Sequence, residues 1–184
     1  MALTTSRGMP VGTPAPDFAL PATDGRTYSL RDFEPASALV VVFTCNHCPY
    51  AIAAEDRLIE LQRDYAERGV QLIAINPNDA STHPGDSFER MVERARDKAF
   101  NFPYLRDEAQ DVARAYDAAC TPDVFVFDAD RRLAYNGRID DSWKDASAVT
   151  RRDLRAVLDA LLADRPHGLD EVVPSMGCSI KWSR

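Results

Sequence analysis

Two apolar runs of strand length, the first continuous and the second interrupted only by Gln71, flank one amphipathic helix, and this pattern constrains the fold more than any other feature. The runs are residues 38–43 and 70–75. Apolar runs without polar alternation are typical of central parallel strands that are covered on both faces. Between them, apolar residues recur at spacings of three and four from Ala51 to Tyr65, and Gly69 follows as a helix stop. The sequence therefore predicts a strand–helix–strand unit with a right-handed crossover.

Weaker patterns predict the elements around this unit. They are a front hairpin (18–20 and 27–30), a helix with Phe88 and Met91 in its apolar stripe, a short helix at 112–116, a hairpin (124–127 and 133–139) and a last helix at 150–162. The spacing of Asp86 and Glu89 matches a capping box at the start of the second helix. Residues 166–184 have no helical period, and we expect an extended arm along the surface.

The length and charge of the chain bear on its domain number and on the classes of function it can have. A single domain has about 100–200 residues, so we expect residues 1–184 to form one domain. The formal net charge of −7 offers no global positive field for nucleic acid or anionic lipid. No apolar run approaches the roughly 18–20 residues of a membrane span, and residues 1–12 lack the apolar stretch of a secretory signal. We therefore expect a cytoplasmic protein with no nucleic-acid partner and no integral membrane segment.

The clearest chemistry lies in Cys45-Asn46-His47-Cys48, between the first buried strand and the helix after it. In this context a Cys-x-x-Cys indicates a redox pair, because its two thiols can close a small disulfide ring. Backbone N–H groups at a helix N-terminus stabilise a thiolate, which is the species that attacks disulfides. A protonated His47 would add positive charge, stabilise the reduced form and make the pair a stronger oxidant.

Pro49 leaves two registers open for the start of this helix. Proline suits the first helical position but would remove a ladder hydrogen bond if the helix already began at Cys45. If Pro49 opens the helix, Cys48 is its cap and Cys45 lies just outside. In either register we expect Cys45 to attack as the nucleophile and Cys48 to resolve the mixed disulfide. A buried, inert cysteine pair and a metal site are the alternatives.

A second candidate segment, Thr121-Pro122, comes just before the predicted strand 124–127. An X-Pro bond is cis in only about 5–6% of cases in folded proteins, so these residues alone favour a trans bond. However, the order of strand, Cys-x-x-Cys, helix, strand, helix, Thr-Pro, hairpin and helix resembles the thioredoxin fold. The front hairpin and the segment 102–116 make the chain similar to the larger redoxins, the AhpC/TSA branch of peroxiredoxin-like and TlpA-like proteins.

Within that branch the resemblance is closer to a "thioredoxin family protein" group with two further motifs. Its members carry FTCNHCPY and a terminal GCSIKW, which residues 43–50 and 177–182 match, and residues 136–141 lie between them. The resemblance extends from about Val11 to Trp182. It implies an α/β thioredoxin fold, in which helices flank a central mixed sheet, with an N-terminal β-hairpin, an inserted strand and helix, and an extended arm at 166–184.

The resemblance also implies roles for residues outside the Cys-x-x-Cys. Pro122 would be the cis proline that faces the dithiol, and Thr121 would offer its backbone to an extended substrate by strand addition. Cys120 would then lie close to the dithiol. We predict Cys120 and Cys178 as a candidate second redox pair, with Gly177 allowing the arm to approach. The alternative is that Cys120 is a small core residue and Cys178 an idle thiol of the tail.

The chain departs from two better-known patterns. Thr44, not tryptophan, precedes Cys45, and Asn46-His47 separates the cysteines where thioredoxin has Gly-Pro. Peroxiredoxins place a threonine three residues before the reactive cysteine, whereas Thr44 stands four before Cys48. A typical peroxide pocket is not predicted, although a thiol peroxidase of different geometry is an alternative. A non-enzymatic copper or zinc carrier using Cys45, His47 and Cys48 is another, because soft thiolates favour Cu(I) and Zn.

We therefore predict a thiol-disulfide oxidoreductase with a role in cell redox homeostasis and an antioxidant activity. Its substrates would be protein or small-molecule thiols and disulfides. Its electrons would come from an external reductant such as a thioredoxin or glutathione system. Apart from the Cys45–Cys48 disulfide itself, we expect no cofactor and no metal.

Overall fold

The chain folds around a five-stranded mixed sheet, which a computed structural model describes together with the rest of residues 3–183. In chain order the strands are β1 (Leu3–Thr5), β2 (Ala19–Pro21), β3 (Thr27–Ser29), β4 (Ala38–Phe43), β5 (Val70–Asn76), β6 (Tyr104–Arg106), β7 (Cys120–Thr121), β8 (Asp123–Phe127), β9 (Leu133–Asn136) and β10 (Met176–Ser179). The α-helices are α1 (Pro49–Tyr65), α2 (Phe88–Asp97), α3 (Asp111–Ala115) and α4 (Asp153–Leu162).

The five-stranded sheet has the order β6-β5-β4-β8-β9. Strands β4, β5 and β6 are parallel, whereas β8 is antiparallel to both β4 and β9. This confirms the predicted strand–helix–strand unit, which consists of β4, α1 and β5. Because β4 is the middle strand, the Cys-x-x-Cys that follows it leaves the sheet at its centre.

Alternate residues of the central strands pack into separate cores on the two faces. Val40 and Val42 belong to the core that α1, α2 and α4 cover. Val41 and Phe43 belong to the core under α3 and the front hairpin. Side chains alternate across a strand, so a strand covered on both faces needs an apolar residue at every position. This requirement explains the unbroken apolar run of β4, in which every residue is buried.

The additions to the central sheet also agree with the sequence. Strands β2 and β3 form the predicted front hairpin, and the segment 102–116 supplies β6 at the sheet edge and the short helix α3. The α/β fold, with a mixed sheet flanked by helices, an N-terminal hairpin and an inserted strand and helix, is therefore confirmed. In the range 3–183, no helix has both the length and the apolar character needed to cross a membrane.

The first residues of α1 and α2 show which of the predicted helix caps are correct. Helix α1 begins at Pro49 with Cys48 as its N-cap, so the structure has the register in which Pro49 opens the helix. The N-cap of α2 is Ser87, whose hydroxyl accepts a hydrogen bond from the backbone N–H of Arg90. The predicted capping box of Asp86 and Glu89 is therefore wrong, because Ser87 caps the helix one residue later and leaves Asp86 for other contacts.

The arm at 166–184 is more buried than its sequence predicts. Strand β10 is the middle strand of a small sheet of order β1-β10-β7, antiparallel to both neighbours. Gly177, Cys178 and Ile180 are buried. The arm does not simply follow the surface, because its backbone pairs with the segment just before Pro122.

Candidate active site

The two cysteines of the Cys-x-x-Cys lie in contact at the N-terminus of α1. Cys45 follows the end of β4 and is 2% exposed, whereas Cys48 caps the helix and is fully buried. Their side chains share a hydrogen bond and pack in one cluster with Ala51. Thr44 is also buried, and its backbone N–H donates to the carbonyl of Ile75 in β5 at 2.8 Å. The dithiol is therefore anchored to the central sheet.

Thr121 faces both sulfurs from the opposite side of the site. Its hydroxyl oxygen lies 3.3 Å from the sulfur of Cys45, and its carbonyl oxygen lies 3.2 Å from the sulfur of Cys48. The Thr121–Pro122 peptide bond is cis, as the resemblance to redoxins implies. The structure thus brings together the predicted residues Cys45, Cys48, Thr121 and Pro122.

Hydrogen bonding separates the acidities of the two thiols. The pKa of Cys48 is lowered to about 4, chiefly by the hydrogen bond from Cys45 and further by donors from Cys178 and the Ala51 N–H at the helix start. Burial and the nearby Thr121 carbonyl favour the neutral thiol and so raise the pKa of Cys48, but the effect of the donors is larger. The pKa of Cys45 is raised by the same shared hydrogen bond, by burial and by the charge of Asp86. These shifts favour ionisation of Cys48 before Cys45, and in its neutral form the Cys48 thiol donates to the Thr121 carbonyl oxygen.

A buried carboxylate beneath the Cys-x-x-Cys is the site residue that sequence reasoning missed. Asp86 is fully buried and accepts a hydrogen bond of 2.7 Å from the backbone N–H of Asn46 and one of 2.9 Å from the side-chain amide of Asn78. It also lies 2.7 Å from the Nδ1 atom of His47. Because an ionised carboxylate only accepts hydrogen bonds, Nδ1 must donate. Asp86 thus compensates the positive charge that a protonated His47 would bring to the dithiol.

The same residues form a group that could hold a metal ion. The sulfur of Cys45, a ring nitrogen of His47 and a carboxylate oxygen of Asp86 all lie within 4.8 Å of one another. The Nε2 atom of His47 is buried and has no hydrogen-bond partner among residues 3–183. The ring of His83 stacks on that of His47 at a centroid distance of 5.0 Å. The sequence suggested Cys45, His47 and Cys48 as metal ligands. In the structure the group contains Asp86 in place of Cys48.

The arm closes the side of the site next to Thr121. In the register of β10 and β7, Cys178 is opposite Thr121 and Ser179 is opposite Cys120. Further along, the backbone N–H of Lys181 donates to the side-chain oxygen of Asn78 at 2.8 Å. The structure therefore places Cys178 beside Cys48, with which it shares a hydrogen bond. Cys120 lies at the neighbouring register position, where burial strongly raises its pKa.

A cavity of about 240 Å³ opens on the other side of Pro122. Tyr50 and Trp143 form one wall, with their rings stacked at a centroid distance of 3.8 Å, and Met176 of the arm also lines it. Arg57 fixes the wall by bonding both carboxylate oxygens of Asp140, at 2.8 and 2.7 Å. Tyr50, for which the sequence left substrate and packing roles open, thus packs on Trp143 and borders the cavity.

The dithiol lies at the start of the helix that follows the central strand, and it faces a cis Thr-Pro bond. This arrangement defines a thioredoxin-like redox protein. The family model described as AhpC/TSA family matches residues 11–136. The chain belongs to this family.

Named relatives are similar to the chain over most of its length. Thiol-disulfide oxidoreductase ResA from Geobacillus thermodenitrificans is 26% identical over 130 residues, which cover 71% of this chain and 70% of that protein. Among solved structures, an uncharacterized conserved protein from Geobacillus kaustophilus is 45% identical with a TM-score of 0.94, covering 100% of this chain and 97% of that one. Peroxidoxin BcpB from Mycobacterium tuberculosis shares the fold, at 20% identity and a TM-score of 0.63, over 85% and 96% of the two chains.

Proposed function

We propose that the protein is a thiol-disulfide oxidoreductase in which Cys45 and Cys48 form a reversible disulfide. The observation that carries the proposal is the contact between the two sulfurs opposite Thr121, at the start of a helix whose N–H groups favour a thiolate. The similarity to ResA, whose name states this activity, supports it.

The acidities of the two thiols suggest how the first step proceeds. Moving the proton along the hydrogen bond from Cys45 to Cys48 places the thiolate on Cys45, which is then the stronger nucleophile because its pKa is higher. The raised pKa of Cys45 makes this transfer unfavourable at rest, so the transfer is coupled to attack on the substrate. Cys45 then attacks one sulfur of a substrate disulfide, and the other substrate sulfur leaves as a thiolate. The product is a mixed disulfide between Cys45 and the substrate.

The second step releases the substrate. Cys48 gives its proton to the departing thiolate and attacks the sulfur of Cys45, which expels the second substrate sulfur as a thiolate that water protonates. The substrate gains two electrons, and the protein keeps the Cys45–Cys48 disulfide. The reverse sequence oxidises a dithiol. We propose that an external thiol system, such as thioredoxin or glutathione, returns the disulfide to the dithiol, so no bound cofactor takes part.

Thiol trapping across a series of redox buffers, with mass spectrometry of the alkylated peptides, tests this function. We expect a Cys45–Cys48 couple within the range of roughly −270 to −120 mV spanned by known disulfide oxidoreductases. The Cys48→Ser variant should accumulate a mixed disulfide at Cys45 with a small aromatic disulfide probe. If Cys45 and Cys48 never pair, the proposal is wrong. Rapid consumption of hydroperoxide by the reduced protein, without reduction of protein disulfides, would instead assign a thiol peroxidase.

A second candidate function, metal binding, rests on the group of Cys45, His47 and Asp86. Zinc accepts thiolate, imidazole and carboxylate ligands. A competition titration of the reduced protein with Zn²⁺ and a chromophoric chelator tests it. Stoichiometric binding that His47→Ala abolishes and His83→Ala preserves would support a carrier. Equal binding by both variants would exclude this site.

A further inference from the structure

A third sulfur joins the Cys45–Cys48 pair. Cys178 is 5% exposed and packs in the same cluster as Cys45, Cys48 and Ala51. Its side chain shares a hydrogen bond with Cys48, which also shares one with Cys45. Cys48 is therefore the sulfur that both other thiols contact.

Strand pairing explains why Cys178, and not Cys120, reaches the dithiol. Residues directly opposite each other in an antiparallel pair point to the same side of the sheet. Cys178 is opposite Thr121, whose hydroxyl contacts the sulfur of Cys45. Neighbouring residues of a strand point to opposite sides, so Cys120 points away, and its sulfur lies 3.5 Å from the carbonyl oxygen of Pro122 and 3.8 Å from that of Ser175.

The arm lies where an extended substrate would add a strand. Two of its residues pair with Cys120 and Thr121, and main-chain pairing of this kind is how extended peptides bind exposed sheet edges. Gly177 fits closely against this edge, because a Cβ atom there would come within 2.0 Å of the Thr121 carbonyl oxygen. The arm thus holds Cys178 at the position of a cysteine in a bound substrate.

We propose that Cys178 is a third redox-active cysteine, which exchanges with the dithiol by forming a disulfide with Cys48. This inference rests on the proposed function, since that function supplies the Cys45–Cys48 disulfide. The thiolate of Cys178 attacks the sulfur of Cys48, the Cys45–Cys48 bond breaks, and Cys45 leaves as a thiolate. The proton lost by Cys178 is regained by Cys45. One disulfide replaces another, so no oxidant or reductant is consumed.

The exchange has a direct consequence for substrate access. A Cys48–Cys178 disulfide fixes β10 covalently on the edge of β7, which the arm already occupies while the four cysteines are free thiols. At the same time it releases Cys45 as a thiol. The arm thereby acts as an internal substrate that competes with external ones for Cys48, and reduction of the Cys48–Cys178 bond leaves the arm held by strand pairing alone.

Disulfide mapping of the Cys45→Ser variant tests the inference. The reduced protein is equilibrated in glutathione buffers, quenched in acid, alkylated and analysed by mass spectrometry. We expect Cys48–Cys178 to be the main intramolecular disulfide. A Cys45→Ser/Cys120→Ser double variant should keep it, whereas Cys45→Ser/Cys178→Ser should leave Cys48 as a thiol or a glutathione adduct.

Three results would overturn the inference: a Cys120–Cys178 disulfide in the Cys45→Ser variant, Cys48 found only with glutathione, or a Cys178 alkylated as fast as in the unfolded chain. If the variant does not fold, the wild-type protein decides, because partial oxidation should yield Cys48–Cys178 beside Cys45–Cys48. The single variant Cys178→Ser separates the two proposals. A Cys45–Cys48 couple that persists there supports the oxidoreductase whatever becomes of Cys178, and its absence there and in the wild type refutes the proposed function.

Discussion

Cys178 lies directly opposite Thr121 in an antiparallel strand pair, so the arm that ends the chain meets the residue that both sulfurs of the dithiol face. The candidate site therefore combines three distant parts of the sequence: the start of α1, the segment before Pro122 and the arm. The loop after β5 adds a fourth through Asp86. Each part contributes a contact to the two cysteines, which makes the acidity and the accessibility of the dithiol separately testable.

Gly177→Ala should detach the arm from β7. The added Cβ would lie 2.0 Å from the carbonyl oxygen of Thr121, which requires the strands to separate. We expect a loss of about 1–3 kcal/mol in the free energy of unfolding, the usual cost of overpacking. Hydrogen exchange at Ile180, whose N–H donates to Ala119 at 3.1 Å, should become faster. Gly85→Ala is the matched control, because a Cβ there meets nothing within 4 Å; equal effects of both variants would contradict the close fit.

Asp86→Asn should change both stability and thiol reactivity. The buried carboxylate accepts from Asn46, His47 and Asn78, and an amide cannot satisfy these donors equally, so we expect a loss of about 1–3 kcal/mol in the free energy of unfolding. The negative charge of Asp86 also raises the pKa of Cys45, so its removal should lower that pKa and speed alkylation of Cys45 at a given pH.

The control for this variant is Asp97→Asn, whose side chain is 64% exposed at the end of α2. It should alter neither the free energy of unfolding nor the alkylation rate. An Asp86→Asn protein that is destabilised but alkylated at the wild-type rate would show a structural role for the carboxylate and no influence on the dithiol.

Local patterns predicted the frame of the site because they depend on neighbours in sequence. The apolar run of β4 and the spacing of α1 indicate where Cys45 and Cys48 stand, whereas Pro49 left two registers open and the structure shows that Cys48 caps the helix. The sequence did not reveal the role of Asp86 in the site. Asp86 precedes Ser87, and either residue type can cap a helix, so Asp86 was predicted as the cap. Only the tertiary position of the loop shows that Ser87 takes the cap and that Asp86 turns towards Asn46.

The arm could not be placed from sequence for a different reason. The segment 176–180 has no helical or strand periodicity of its own, and its burial depends on pairing with Thr121, which is more than fifty residues away. Its glycine is required by the close approach of another backbone, which no local pattern reveals. From the resemblance we predicted Cys178 as the partner of Cys120 in a candidate second redox pair, whereas the structure has Cys178 beside Cys48.

Arg57→Ala should loosen the wall of the cavity beside Pro122. Arg57 bonds the carboxylate of Asp140 and donates to the backbone carbonyl of Trp143 at 2.9 Å, and its removal leaves the largely buried carboxylate without this partner. We expect a loss of about 1–3 kcal/mol in the free energy of unfolding and a red shift of tryptophan fluorescence as Trp143 separates from Tyr50. Arg63→Ala, an exposed change on the same helix, should cause neither. An unchanged spectrum for Arg57→Ala would show that the ring stack holds Trp143 by itself.

The reduced protein should carry a thiolate on Cys48 well below neutral pH. The pKa of Cys48 is lowered from 9.0 to about 4, so the thiolate forms as pH rises through about 4 in the folded chain and only near the ordinary value in the unfolded one. Ultraviolet absorbance of the thiolate, followed from acid to neutral pH with a phosphine reductant present, measures this midpoint. The Cys45→Ser variant replaces the thiol that is the largest cause of the shift, so its midpoint should move upward. Cys120→Ser should leave the midpoint unchanged, and a wild-type midpoint near 9 would disprove the assignment of the thiolate to Cys48.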